Sequence, residues 1–149
     1  MISNHLLAAG SSDSRILIWN WKNNSLKTIL INHTLSVTVL ELVENETLVS
    51  GSMDNTIKLW DLFYEAVVLT FNGHTSGITC LKYLNDGILI SGSTDTTIRM
   101  WNVRYRTLAK ILNQHTNAIV SLDILPNNSF ISASLNGQIF IWNSTNGDI

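Results

Sequence analysis

Four tryptophans, Trp19, Trp60, Trp101 and Trp142, recur every 41 residues with no insertion or deletion between them. His33, His74 and His115 keep the same interval, as do Asp13, Asp54 and Asp95, with Asn136 in the fourth place. Isoleucine holds register at Ile16, Ile57, Ile98 and Ile139. The stretch "SGSMDNTIKLWD", Ser50 to Asp61, returns as "SGSTDTTIRMWN", Ser91 to Asn102. A period of this length marks an array of supersecondary units, none of which can bury its own hydrophobic face without stacking on a neighbour.

Within one period the residues read as strands. "ITCLKYL" and "IVSLDIL" are β-branched, apolar runs, and "ILISGS" and "FISASL" follow them. Then come "TIRMWN" or "QIFIWN", and last "TLAKIL" or "AVVLTF". Asn136-Gly137 is a two-residue hairpin signal between the second and third runs. No ten-residue window carries a helical period. Each period therefore predicts four short antiparallel strands, a to d, in an all-β chain. A four-stranded sheet that must stack on the next is the logic of a propeller blade.

Gly73-His74 before strand a and Trp60-Asp61 at the end of strand c complete a signature. With it the chain resembles the WD-repeat β-propeller family over its whole length. Departures are Asn32-His33 and Gln114-His115 for Gly-His, and Trp-Asn for Trp-Asp at Asn20, Asn102 and Asn143. The resemblance implies a single WD-repeat domain over 1–149, divided into units 1–31 (strands b-c-d), 32–72, 73–113 and 114–149 (lacking strand d). About four blades form an open arc, or part of a larger closed propeller. The expected explanations are a fragment of a longer propeller, two copies joined head to tail, or completion by another protein's strands.

The same resemblance implies a four-residue hydrogen-bond chain in each blade: the strand-c Trp, a strand-b Ser, a His from the d–a loop and an Asp of the b–c turn. Position by position this gives Trp60, Ser50, His33 and Asp54, then Trp101, Ser91, His74 and Asp95. The last set is Trp142, Ser132, His115 and the uncharged Asn136. The first unit keeps Asp13 and Trp19 but has Ala9 at the Ser position and no His. The physical need is clear, because a buried indole N–H without an acceptor costs about 1–3 kcal/mol.

Ser, His and Asp are also the residue types of a nucleophilic triad. Their recurrence in register on three units argues for packing, since a packing device repeats by necessity and an active site does not. No Gly-x-Ser-x-Gly elbow is present. A zinc centre needs ligands converging within about 2 Å of one ion, and these histidines are spread one per unit. No catalytic residue, cofactor or metal is expected. His5 reads as a solvated turn residue, Cys80 as a small buried hydrophobe and Trp21 as packing.

Function then rests on exposed surface. For the resembled family the contact positions of the top face fall at Ser12 in the first unit and at Ser36, Thr38 and Met53 in the second. Gly77, Thr79 and Thr94 follow in the third, and Ala118, Val120 and Leu135 in the last. This set has no charge and no large aromatic, which argues against recognition of phosphate by an arginine cluster or of methyl-lysine by an aromatic cage. A second surface lies between strands c and d, where Tyr64, Tyr105, Arg104 and Arg106 are stronger hot-spot types.

Composition narrows the partners. Charged residues are 13 % of the chain, against roughly 25 % in typical soluble domains. A net charge of −2 without a basic cluster argues against nucleic acid. No apolar run reaches the ~18 residues of a membrane span, and "MISNHLLAAG" lacks a signal-peptide pattern. The single cysteine fits a reducing compartment, so a cytoplasmic or nuclear location is expected. The function expected is a non-catalytic protein–protein interaction scaffold. The alternative is a substrate-recognition module of a larger protein such as a ubiquitin-ligase adaptor or signalling protein.

Overall fold

A computed structural model of the chain describes residues 5–43, 47–84 and 87–149. All fourteen described elements are strands, arranged in four antiparallel sheets. The first holds β1 (Leu6–Gly10), β2 (Arg15–Asn20) and β3 (Ser25–Ile31). The second is β4 (Val37–Val43), β5 (Thr47–Ser52), β6 (Ile57–Asp61) and β7 (Ala66–Phe71). The third is β8 (Ile78–Leu84), β9 (Ile88–Ser93), β10 (Ile98–Asn102) and β11 (Thr107–Leu112). The last holds β12 (Ile119–Leu125), β13 (Ser129–Ser134) and β14 (Ile139–Asn143). Strand order in every sheet is sequence order, so each unit is a meander.

These residues form strands because β-branched and aromatic side chains pack well on a pleated surface and short polar turns separate them. The register repeats like the sequence. Ser50 lies opposite Lys58 in one unit, Ser91 opposite Arg99 in the next and Ser132 opposite Phe140 in the last. In the three units from β4 onward, a slip in register between strands a and b falls at the same place: Val37/Val39, Ile78/Cys80 and Ile119/Ser121.

The b–c turn differs from the expected two-residue hairpin centred on Asn136-Gly137. Gly137 N–H donates to Ser134 O at 2.9 Å and Ser134 N–H to Gln138 O at 3.0 Å, closing a three-residue loop with Gly137 at φ 85°. Asn55 and Thr96 occupy the same left-handed position at φ 68° and 71°. The reason is the loop's second duty. It must aim residue 54, 95 or 136 back at the d–a loop, which a tighter turn would not do.

The core lies between sheets rather than within them. Three apolar clusters each join one unit to the next. Ile16, Ile18 and Leu30 meet Leu48 and Trp60. Val49, Ile57, Leu59 and Phe71 meet Leu89 and Trp101. Ile90, Ile98, Met100 and Leu112 meet Phe130 and Trp142. The two middle sheets are covered on both faces and the end sheets on one. Accordingly β5 and β9 are buried along nearly their whole length, while β13 alternates.

Candidate functional site

The polar chain that crosses each blade begins on strand c. Trp60 Nε1 donates to Ser50 Oγ at 2.8 Å, and Ser50 Oγ lies 2.7 Å from His33 Nε2. On the other side of the ring, His33 Nδ1 is 2.7 Å from Asp54 Oδ2. The third unit reproduces the geometry: Trp101 to Ser91 at 2.9 Å, Ser91 to His74 at 2.8 Å, His74 to Asp95 at 2.7 Å. A neutral imidazole satisfies every link, with Nδ1–H donating to the carboxylate and Nε2 accepting from the serine. Burial favours that form, holding the His33 pKa below the ordinary histidine value against the pull of Asp54.

The aspartate also ties two loops together. Asp54 Oδ1 accepts from Thr56 N–H at 3.0 Å and from Thr56 Oγ at 2.6 Å, while Oδ2 accepts from Thr34 N–H at 3.0 Å. Burial alone would raise its pKa. The hydrogen bonds from Thr56, Thr34 and His33 outweigh that and hold it at about 2. Asp95 shows the same balance and is likewise well below the usual carboxylate range.

The last unit departs from this plan. Trp142 Nε1 donates to Ser132 Oγ at 2.7 Å, and Ser132 meets His115 Nε2 at 2.7 Å. His115 Nδ1, however, is buried with no hydrogen-bond partner among the described residues. Asn136 is not the partner the sequence led us to expect. Its Oδ1 accepts from Ser134 Oγ at 2.6 Å, and its Nδ2 donates to Thr116 Oγ at 3.1 Å and to Gln138 Oε1 at 3.2 Å. An amide has one acceptor where a carboxylate has two, and Ser134 has taken it. Gln138, at the register position of Thr56 and Thr97, assumes the loop-tying part by accepting from Thr116 N–H at 3.2 Å. It also nudges the His115 pKa upward, but burial dominates and keeps it low. Gln138 escaped sequence reasoning, although its place two residues after the turn acid was a usable signal. In the first unit Asp13 accepts instead from Arg15 (Nε at 2.7 Å), with no histidine beside it among the described residues.

Ser50, Ser91 and Ser132 are fully buried and each hydroxyl is already engaged by an indole and an imidazole. The order Ser–His–Asp is that of a nucleophilic triad, but no substrate atom can reach these oxygens. A cavity of about 350 Å³ lies elsewhere, lined by Leu84, Ile88, Met100, Ala109, Lys110, Ser144 and Thr145. Among the described residues its one charged group is Lys110, and no tetrad residue borders it. Among the described residues no group of three His, Cys, Asp or Glu side chains could hold a metal. Cys80 is buried, and burial pushes its thiol pKa up.

The ten top-face positions divide. Ser12, Met53, Thr94 and Leu135 are exposed in the b–c turns. Ser36 and Ala118 are half-buried and Gly77 is buried. Thr38, exposed, and Thr79, half-buried, also serve the architecture: each hydroxyl reaches a carbonyl of the following blade, Ile78 O at 2.5 Å and Ile119 O at 2.6 Å. Val120, the third of this series, is exposed. Among the described residues the c–d turns carry the most exposed aromatics, Phe63 at 82 %, Tyr64 at 75 % and Tyr105 at 73 %, flanked by exposed Arg104 and Arg106. Phe63 stacks edge-on against Tyr64 with ring centres 4.9 Å apart.

Comparison with known proteins fits this geometry. A computationally designed protein, Ika4, known from a crystal structure, superposes with a TM-score of 0.86 at 27 % identity, over 95 % of this chain and 86 % of that one. No curated protein matches the sequence. The family described as "WD domain, G-beta repeat" matches three times, over residues 24–61, 65–102 and 106–143. Each match runs from the start of one strand d to the tryptophan-bearing end of the next strand c, and together they place the chain in the WD-repeat family of β-propellers, whose members act in general as protein-interaction scaffolds without catalysis of their own.

Proposed function

We propose that this chain is a non-catalytic scaffold that holds a protein or peptide partner. One observation carries the reading: every serine that could act as a nucleophile within a Ser–His–Asp set is fully buried beneath a tryptophan. The chemistry-bearing residues stabilise the blades, which leaves recognition to the exposed loops. The c–d turns are the better equipped surface. Phe63, Tyr64 and Tyr105 with Arg104 and Arg106 supply the aromatic and guanidinium types that dominate binding hot spots. The b–c turns offer a second, smaller surface through Met53 and Leu135, 42 % and 70 % exposed.

Selection of a displayed library of linear peptides against the folded chain tests this reading. Peptides recovered on the wild type should lose at least tenfold in affinity on the Phe63→Ser/Tyr105→Ser variant. Loss on Met53→Arg/Leu135→Arg instead would move the site to the b–c turns. Failure to recover any sequence-selective peptide, or a turnover abolished by Ser91→Ala without loss of fold, would sink the scaffold reading.

A further inference from the structure

The cavity between the third and last units lies where one position lacks its plug. At the other two junctions the residue that opens the c–d turn packs back against the unit before it. In the second unit that residue is Leu62, buried in the cluster that holds Ile18 of the first, with Leu6 beside it. In the third it is Val103, packed against the cluster that holds Val43 and Leu59 of the second, beside Leu69. In the last unit it is Ser144, smaller and polar, whose Oγ donates to Asn128 O of its own unit at 2.8 Å. The register places of Val43, Leu59 and Leu69 are taken here by Leu84, Met100 and Lys110, and all three line the cavity.

A second change settles the turn over the opening. Gly147, at φ 67°, lies so close to the third unit that a Cβ on it would meet Leu112 Cδ2 at 2.8 Å and Lys110 Cδ at 2.9 Å. The same left-handed place holds Glu65 and Arg106 in the two units before it, so the last c–d turn is the one of the three without a side chain there. Lys110 Nζ donates to Asn146 O in this turn and lies 3.9 Å from Asp148 Oδ1. Both partners of that ion pair are largely in solvent, where such a pair is weak and a competing carboxylate can replace it. The result is a floor of buried Leu84 and Met100 under a rim of Lys110, Ser144 and Thr145. A volume of about 350 Å³ falls at the small end of the roughly 300–1,000 Å³ of ligand pockets, whose usual lining is apolar with a few convergent polar groups.

We infer that this cavity binds a small carboxylate with an apolar body, about the size of phenylacetate. The body takes the space that Leu62 and Val103 fill at the other junctions, against Leu84, Ile88 and Met100. The carboxylate meets the Lys110 ammonium in place of Asp148, with the Ser144 and Thr145 side chains beside it. A phosphate would call for a guanidinium fork or several cations, and a cationic ligand would meet a like charge at the mouth. This goes beyond the holding of a protein partner: Phe63, Tyr64 and Tyr105, the surface proposed for that role, do not line the cavity.

Titration of phenylacetate into the 149-residue chain, followed by the methyl signals of Met100 and Ile88 in NMR, tests the inference. A Kd on the order of 1 mM is expected for so small a ligand. The uncharged phenylacetamide should bind about fivefold more weakly. Ser144→Leu should abolish binding and raise the thermal midpoint, because it supplies the residue that fills this place in the second unit. Should leucine overpack the junction, Ser144→Val, the third unit's residue, serves the same design. Lys110→Met should bring acid and amide to equal affinity, and Asp148→Asn should tighten the acid by about twofold through loss of its competitor. Absence of any shift at Met100 and Ile88 up to about 10 mM phenylacetate overturns the proposal. So does binding that survives both Ser144 variants in a folded chain, or a wild type that binds acid and amide alike.

Discussion

The third unit and the last keep the same repeat register, with His, Ser and Trp at matching positions, yet their surroundings differ. In the third, His74 has acceptors and donors on both ring nitrogens, Gly92 is roofed by Ile119, and Ile98 and Met100 are 0 % and 4 % exposed. In the last, one nitrogen of His115 is an orphan, Ala133 stands in the glycine's place, and Ile139 and Ile141 are more than half exposed. A following blade, absent among the described residues for the last unit, accounts for the exposed isoleucines, whereas the unpaired His115 nitrogen follows from Asn136 standing where Asp95 does. A blade of this kind is therefore a half-object: its tryptophan face is completed by the unit before it, its isoleucine face by the unit after.

The largest expected difference is at the glycine. Gly92→Ala should cost about 3 kcal/mol, because the new methyl would sit 2.5 Å from Ile119 Cγ2 and 2.6 Å from Cys80 Sγ in a closely packed junction. Ala133→Gly at the equivalent place should change urea-measured stability by about 1 kcal/mol or less. Equal costs at the two sites would show that Ile119 and Cys80 rearrange freely and that the junction is not tightly seated.

Next in size is the histidine. His74→Ala strands the Ser91 hydroxyl and the Asp95 carboxylate together and should lower stability by about 2–3 kcal/mol in chemical denaturation. His115→Ala removes a ring nitrogen that is already unpaired and strands one group only, so about 1 kcal/mol is expected. The reverse order would mean that the Asp95 link contributes nothing.

A smaller difference should emerge in acid. His33 and His115 titrate below their unfolded value of about 6.5, so the unfolded chain binds more protons and stability falls as pH drops below that point. Asp54 at about 2 and the similarly depressed Asp95 contribute stability that is present above pH ~4 and is lost as pH falls through their folded values. Asp95→Asn should flatten the part of the stability–pH curve below pH ~4, and Asn136→Ala should leave it unchanged. A curve insensitive to Asp95→Asn would separate the carboxylates from the acid unfolding of this chain.

The smallest effect concerns the turn. Thr96 is a β-branched residue at φ 71°, where the last unit has Gly137 at φ 85°. Thr96→Gly should raise the thermal midpoint, by the equivalent of about 1 kcal/mol, through release of left-handed strain. A lowered midpoint would show that the Thr96 side chain contributes more by its contacts than its backbone costs.

The sequence by itself determined a great deal here. An ungapped 41-residue period with Trp, Ser, His and Asp in step is enough to specify four stacked sheets, because each residue type answers a local need: an apolar face to stack, an indole to satisfy, a turn to close. Ser50, His33 and Asp54, scattered along the chain, could be named together through the resemblance to WD-repeat blades that this recurrence carries. The tertiary structure alone decided what depends on a neighbour. Whether Asn136 reaches His115 turns on Ser134 and Gln138 competing for the same amide, which residue type cannot disclose. Whether Thr38 is a contact residue or a tie depends on the carbonyl of Ile78, forty residues away. And whether an isoleucine in perfect register is core or surface is settled only by what is stacked on it, since burial is a property of pairs of blades while the repeat is a property of one.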